Sequence, residues 1–287
     1  MNNLIILLGQ RVRSGTNFVG STISQHPHVV TLPQNGSQGE FNLFYSEDII
    51  KNVYQYVAKA SFGMEFNQSD QDAFLKEYGT LWLNLLIDKY QVKPEETIFV
   101  KSPSVAHLDL WKRAFPEAQI AVICRDGRDN VISSVRASND KRTWHDFKIK
   151  LKKKFNYFSG RSFINHSKQW AKTANYISAI QSNDQVELFR YEDLNDSKVN
   201  ISKLLEHYKL EVDDGILDRC LNAPVVGSSF GIASNAMVKP NWKPDTDKSK
   251  FKFSNKWNHW KFIKKTVFKS IAGQQLINLG YEENKSW

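Results

Sequence analysis

Four apolar runs in this chain each leave into a polar or charged exit, and helical sequence alternates with them. The runs are residues 4–8, 98–100, 119–124 and the segment QVELFRYEDL; their exits are Arg13, Lys101, Arg125 and Tyr191. Strands alternating with helices specify an α/β fold with a mostly parallel sheet. The first run is continuously apolar, as a strand covered on both faces should be. In open sheets of this kind ligands bind at the carboxyl ends of the strands. The four exits are therefore expected to meet at one site.

Periodicity and breakers place helices at about 16–25, 70–89, 104–115, after Arg125, at 162–182, 199–208 and 214–221, with a closing helix to about 279. Residues 31–40 (TLPQNGSQGE) and 227–256 read as loops, and 139–160, centred on KIKLKKKF, as an exposed basic insertion. With no internal repeat and no linker, residues 1–287 are expected to form a single domain. The apolar run near the N-terminus is far below the roughly 20 residues of a membrane span and lacks the flanks of a signal peptide. Only two cysteines are present, Cys124 and Cys220, without zinc spacing, so no metal site is assigned and a reducing, cytoplasmic setting is expected.

The net charge of +9 fits an anionic ligand, nucleic acid or a membrane surface without choosing among them. The loop GQRVRSGTNF is more selective. Gly9 and Gly15 are separated by five residues, and Thr16 stands where a nucleotide-binding loop carries Lys. A helix N-terminus binds phosphate-like anions, Gly15 permits close backbone approach, and Ser14, Thr16, Asn17 and Arg13 add donors and charge. Missing is the Lys-[Ser/Thr] pair that grips β- and γ-phosphates and magnesium. The run CRDGRDNVISSVRAS repeats the pattern, with Arg125 at a strand end and Ser133 two helical turns on. A second phosphate is one use of this segment; an Arg125 salt bridge to Asp126 or Asp129, with Ser133 as a packing residue, is the other.

Taken together, RSGTNFVGSTISQHP, KSPSVAHLDLWKRAFPEAQIAVICRDGRDNVISS, FRYEDL and the closing KW…LGYE resemble the PAPS-dependent sulfotransferases in order and spacing. The RDGR run followed by Ser133, and R-S-G-T followed by H-P, are most similar to tyrosylprotein sulfotransferases and related bacterial enzymes. The resemblance implies a P-loop NTPase-like three-layer fold, a central sheet flanked by helices, that binds 3′-phosphoadenosine 5′-phosphosulfate (PAPS). It implies that Arg13, Ser14, Gly15, Thr16 and Asn17 hold the 5′-phosphosulfate, that Arg125 and Ser133 hold the 3′-phosphate, and that Tyr191 and Lys256 contact the nucleotide. A sulfuryl group would pass to an acceptor hydroxyl of a sugar, lipid, small molecule or protein tyrosine, releasing PAP. Fixed cations can stabilise that transfer without a metal.

Lys101, in K-S-P, matches the lysine that with Arg13 neutralises the leaving oxygen. Where cytosolic relatives carry a His two residues later this chain has Pro103, so Glu40 in Q-G-E-F is the expected general base, with His28 and His107 as rivals. Ser234 is a weaker candidate for the cleft wall. The Lys-rich stretch 148–154 reads as a solvated face or as a peripheral membrane or acidic-acceptor contact; Trp242, Trp257 and Trp260 read as packing or as a stacking surface. A magnesium-dependent P-loop kinase and a basic nucleic-acid-binding protein are the rival classes. The first would need the missing loop lysine; the second would show steep salt dependence. The preferred reading involves no nucleic acid.

Overall fold

The computed structural model describes residues 3–34, 39–41, 43–44, 67–139, 147–180, 184–195, 197–226, 229–230, 240–241, 244–247 and 254–287. Ser234 and Trp242 lie outside them.

Five parallel strands form the centre: β1 (Leu4–Gly9), β2 (Val29–Thr31), β3 (Thr97–Ser102), β4 (Gln119–Cys124) and β5 (Val186–Arg190), in the order β2-β3-β1-β4-β5. β1 is buried throughout, and its register sets Leu7 beside Lys101 and Gly9 beside Ile123. Alternation along the pleat sends successive side chains to opposite faces. Leu4, Ile6 and Leu8 join Ile98, Val100, Ile120 and Val122 on one face, under α2 (Gln68–Tyr90) and α3 (Leu108–Ala114), which contribute Leu75, Leu83 and Trp111. Ile5 and Leu7 join Phe99, Ala121 and Ile123 on the other, under α1 (Thr16–Ile23) and α8 (Lys198–His207). Tyr208, just beyond α8, donates its hydroxyl to the Ile6 carbonyl at 2.9 Å. A third core joins α4 (Gly127–Ser138), α6 (Arg161–Ser178) and α10 (Phe262–Asn278) through Val131, Trp170, Phe268 and Leu276. Helices thus cover both faces of an all-parallel sheet, the three-layer arrangement expected from the sequence.

Caps fix the helix starts. Asn67 and Asp70 form a reciprocal capping box on α2, Asp126 accepts from the Arg128 N–H on α4, and Asp213 from Ile216 on α9 (Asp214–Leu221).

Two elements depart from the expected pattern. Residues 29–31, expected to lead into loop, are the edge strand β2; three half-buried residues carry too little alternation to signal a strand. The basic insertion contains a helix, α5 (Phe147–Phe158), with no buried residue. The remaining pieces are α7 (Tyr191–Leu194), a 3-10 turn at Lys256–His259, and two antiparallel ladders. These are β6 (Val225–Val226) with β9 (Pro244–Asp245) and β7 (Ser229–Phe230) with β8 (Pro240–Asn241); all but β6 fall inside the stretch expected to be loop. No described helix is long and apolar enough to cross a membrane.

Candidate active site

The loop between β1 and α1 closes on itself. Ser14 N–H donates to the Arg11 carbonyl at 3.2 Å, and Ser14 Oγ accepts from the Arg11 N–H at 3.2 Å. The buried Ser14 hydroxyl is thus turned into the loop rather than away from it. Arg13 and Gly15 both take left-handed backbone conformations, φ 73° and 98°. A Cβ on Gly15 would lie 2.2 Å from the Tyr191 ring, so only glycine lets that ring close over the turn. Gly15 caps α1 without a side-chain hydrogen bond, and the helix N-terminus carries a partial positive charge at the loop. Arg11, not singled out from the sequence, is structural. Its guanidinium donates to Asn130 Oδ1, the His166 carbonyl and Gln169 Oε1 at 3.0–3.3 Å, tying the loop to α4 and α6.

On one side of this loop stand Lys101, Asn17 and Glu40. Lys101, the penultimate residue of β3, is fully buried, and its Nζ donates to Asn17 Oδ1 at 2.9 Å and lies 3.4 Å from Glu40 Oε2. Glu40 is held by backbone pairing. Lys101 N–H donates to the Gly39 carbonyl and Phe41 N–H to the Lys101 carbonyl, each at 2.7 Å, so residues 39–41 extend the sheet edge beyond β2. Burial pulls the Lys101 pKa down to about 8, with the Glu40 charge opposing it. The ammonium is thus easier to deprotonate than that of an exposed lysine, and added negative charge would hold its proton more firmly.

On the other side cations crowd together. Arg13 Nε donates to Ser133 Oγ at 3.0 Å, and Arg125 Nη1 to the Arg13 carbonyl at 3.2 Å. The Arg125 guanidinium lies 4.7 Å over the Tyr191 ring, which meets Phe18 edge-on at 5.5 Å. Burial and then the charges of Arg125 and Arg136 lower the Arg13 pKa; burial and then Arg125 lower that of Lys256, with Arg136 and Arg13 adding to it and Asp129 opposing. Arg136 was not anticipated; its signal is the three-residue spacing from Ser133 on α4, which puts both on one helical face.

The sequence-derived residues therefore fall into two groups, one at Lys101 and one at Ser133, joined by the loop. Arg13 sits with the Ser133 group.

Lys256 owes its place to Asp129, whose Oδ1 accepts the Lys256 backbone N–H at 2.8 Å. Asp126 pairs with Arg128 at 2.6 Å, and the Arg125 charge acts on Asp129, opposing the burial that raises its pKa. Arg128 also pairs with Glu282 and lies over the rings of Trp257 (3.7 Å) and Trp287 (4.6 Å), which meet each other edge-on. Trp260 packs on Phe163 and Phe268. The packing use of Trp257 and Trp260 is the one the structure displays.

The rival bases differ in position. The His28 carbonyl accepts from the Thr97 N–H at the start of β3, four residues before Lys101. At the rise of a strand that is about 13 Å away, on the opposite edge of the sheet from the cations. His28 instead lies 3.9 Å from Glu211, out of place as the base. His107 heads α3, where it makes no side-chain capping bond.

Residues 5–214 match the family model described as Sulfotransferase family. The structure is similar to the sulfotransferase domain of the Synechococcus PCC 7002 olefin synthase, with TM-score 0.52 and 13% identity over 95% of this chain and 94% of that one. Two further solved structures are a sulfotransferase domain from the curacin biosynthetic pathway and a mouse sulfotransferase complexed with PAP. The first gives TM-score 0.49 and 15% identity over 96% of this chain and 97% of that one. The second gives TM-score 0.48 and 12% identity over 96% and 84%. No curated protein matches at a significant level. The family match covers most of the chain and includes the loop, Lys101, Arg125, Ser133 and Tyr191: the chain belongs to the sulfotransferase family.

Proposed function

We propose that the protein transfers a sulfuryl group from PAPS to an acceptor hydroxyl and releases PAP. The observation that carries this reading is the pair of cationic groups on one glycine-turned loop, Lys101–Asn17 and Arg13–Ser133–Arg125–Lys256. A single phosphate needs one such group; a nucleotide charged at both its 3′- and 5′-positions needs two. The donor set fits, with forked guanidinium groups, a hydroxyl and a helix N-terminus of the kind that hold phosphate.

Within that reading Arg125, Ser133 and Lys256 hold the 3′-phosphate, with Arg136 and Arg13 adding charge. The first turn of α1, with Thr16, holds the 5′-end, and Asn17 acts there by orienting Lys101. Tyr191 covers the loop next to the nucleotide. The acceptor oxygen attacks sulfur in line with the departing 5′-phosphate, and its proton passes to the Glu40 carboxylate. The S–O bond to the 5′-phosphate breaks and the electron pair leaves with that oxygen, whose charge Lys101 neutralises. Sugars, lipids, small alcohols and protein tyrosine all present such a hydroxyl.

Isothermal calorimetry with PAP tests the donor assignment. Saturable binding is expected, and Arg125→Ala should weaken it at least ten-fold, since a hydrogen bond to a charged group is worth about 1.5–3 kcal/mol. Wild-type protein that binds no PAP would remove the reading.

A further inference from the structure

We propose that α5 is a docking helix for anionic membrane surfaces. Its sequence, FKIKLKKKFNYF, forms twelve residues of helix with no buried side chain. Phe147, Leu151, Phe155 and Phe158 recur at the spacing of one helical face and are 76, 62, 56 and 81% exposed. An apolar stripe this bare is not what a soluble helix shows to water. Lys148 and Lys152 border it on one side, Lys150 and Lys154 on the other, Lys153 lies beyond, and the helix contains no acidic residue. At about 18 Å the helix is too short to span a bilayer. An apolar face with lysines along both margins fits a helix lying in the lipid headgroup plane, rings in the acyl boundary and ammonium groups on lipid phosphates.

Charge complementarity commits the face to an anionic bilayer. Pairing with a second copy would set five lysines against five like charges. Nucleic acid would engage the lysines and leave Leu151 and Phe158 in water. The neighbouring structure supports a projecting element. α5 is joined to α6 by a tight turn at Ser159–Gly160, where a side chain on Gly160 would meet nothing within 4 Å. Arg161 closes the junction 5.0 Å from the Phe155 ring. The inference does not depend on the sulfuryl-transfer reading, because its readout is lipid binding.

The test is co-sedimentation with vesicles of phosphatidylcholine alone or with about one-third phosphatidylserine. Binding is expected only to the anionic vesicles, weakening as salt rises. Each lysine near such a surface strengthens binding about five-fold, so Lys152→Gln, Lys153→Gln and Lys154→Gln combined should cost about 100-fold. Leu151→Glu with Phe155→Glu should cost at least as much, and Phe158→Ser, at the most exposed position, should weaken binding several-fold. All variants should keep the wild-type melting temperature and PAP affinity. Absence of binding to anionic vesicles overturns the proposal. So does binding that the apolar substitutions leave unchanged and single-stranded DNA competes away, which would make α5 a polyanion surface. A wild-type dimer that Phe158→Ser converts to monomer also overturns it.

Discussion

At the scale of single residues, Lys101 and Gly15 show how far burial and backbone shape constrain the site. Lys101 has a pKa of about 8 in the fold against 10.5 ordinarily. Between these values the unfolded chain binds more protons than the folded one, so this residue's contribution to stability rises with pH across that window. Below pH 8 the fold carries the cost of a buried ammonium, partly offset by Glu40. If a nucleotide anion arrives beside it, the ammonium form regains its advantage. PAP binding near pH 9 should therefore take up a substantial fraction of a proton, measurable by calorimetry in buffers of different ionisation enthalpy. Lys101→Met should take up less. Glu40→Gln should keep PAP binding and abolish turnover once an acceptor is in hand; full activity would move the base to His107. Gly15→Ala sets a Cβ 2.2 Å from the Tyr191 ring at a φ of 98°. The left-handed backbone alone costs an alanine about 1 kcal/mol. PAP affinity should fall at least ten-fold, because Tyr191 must leave the loop that the proposal gives to the 5′-end.

At the scale of elements, legibility follows burial. β1, β3 and β4 sit between two helical layers, so their runs are apolar without interruption and stand out against the charged exits. β2 is short and half-buried at the edge, and three β-branched residues between His26–Pro27 and the turn-rich 31–40 are too few to mark a strand. α5 is helical but touches no core, so its lysines dominate its apparent character. The loop, Lys101, Arg125 and Ser133 were visible because each lies at a strand exit or one helix away. Glu40 was visible only through family likeness; its backbone pairing with Lys101, sixty-one positions away, cannot be read along the chain. Residues 254–256 looked like loop because Asp129, on α4, supplies their anchor. Arg128 explains the rest of the RDGR run. It is buried, paired with Asp126 and Glu282, and packed against Trp257 and Trp287, so it joins the start of α4 to the chain's end. Arg128→Met should destabilise by about 3–5 kcal/mol, since it strands two carboxylates. A fall in melting temperature of about 6 °C or more is expected from thermal unfolding.

At the scale of the whole molecule, the cationic site is assembled from pieces the family match does not all contain. That match ends at residue 214, yet Lys256 belongs to the cluster around Arg125, and Tyr281 and Glu282 bond to Glu192 and Arg128. The chain's last segment folds back across α4 and α6, filling the third core with Phe268 and Leu276 while bringing Lys256 to the cluster around Arg125. Core packing and charge placement are therefore coupled, and a double-mutant cycle can separate them. Asp129→Ala removes no cation, but it releases the Lys256 backbone and should lower PAP affinity about five-fold, the loss expected for one ordinary hydrogen bond. Lys256→Met should lower it comparably by removing the charge itself. If Asp129 acts by holding Lys256 in place, Asp129→Ala in the Lys256→Met background should cost less than about two-fold. Additive losses would mean that Asp129 shapes the start of α4 and Arg125 instead.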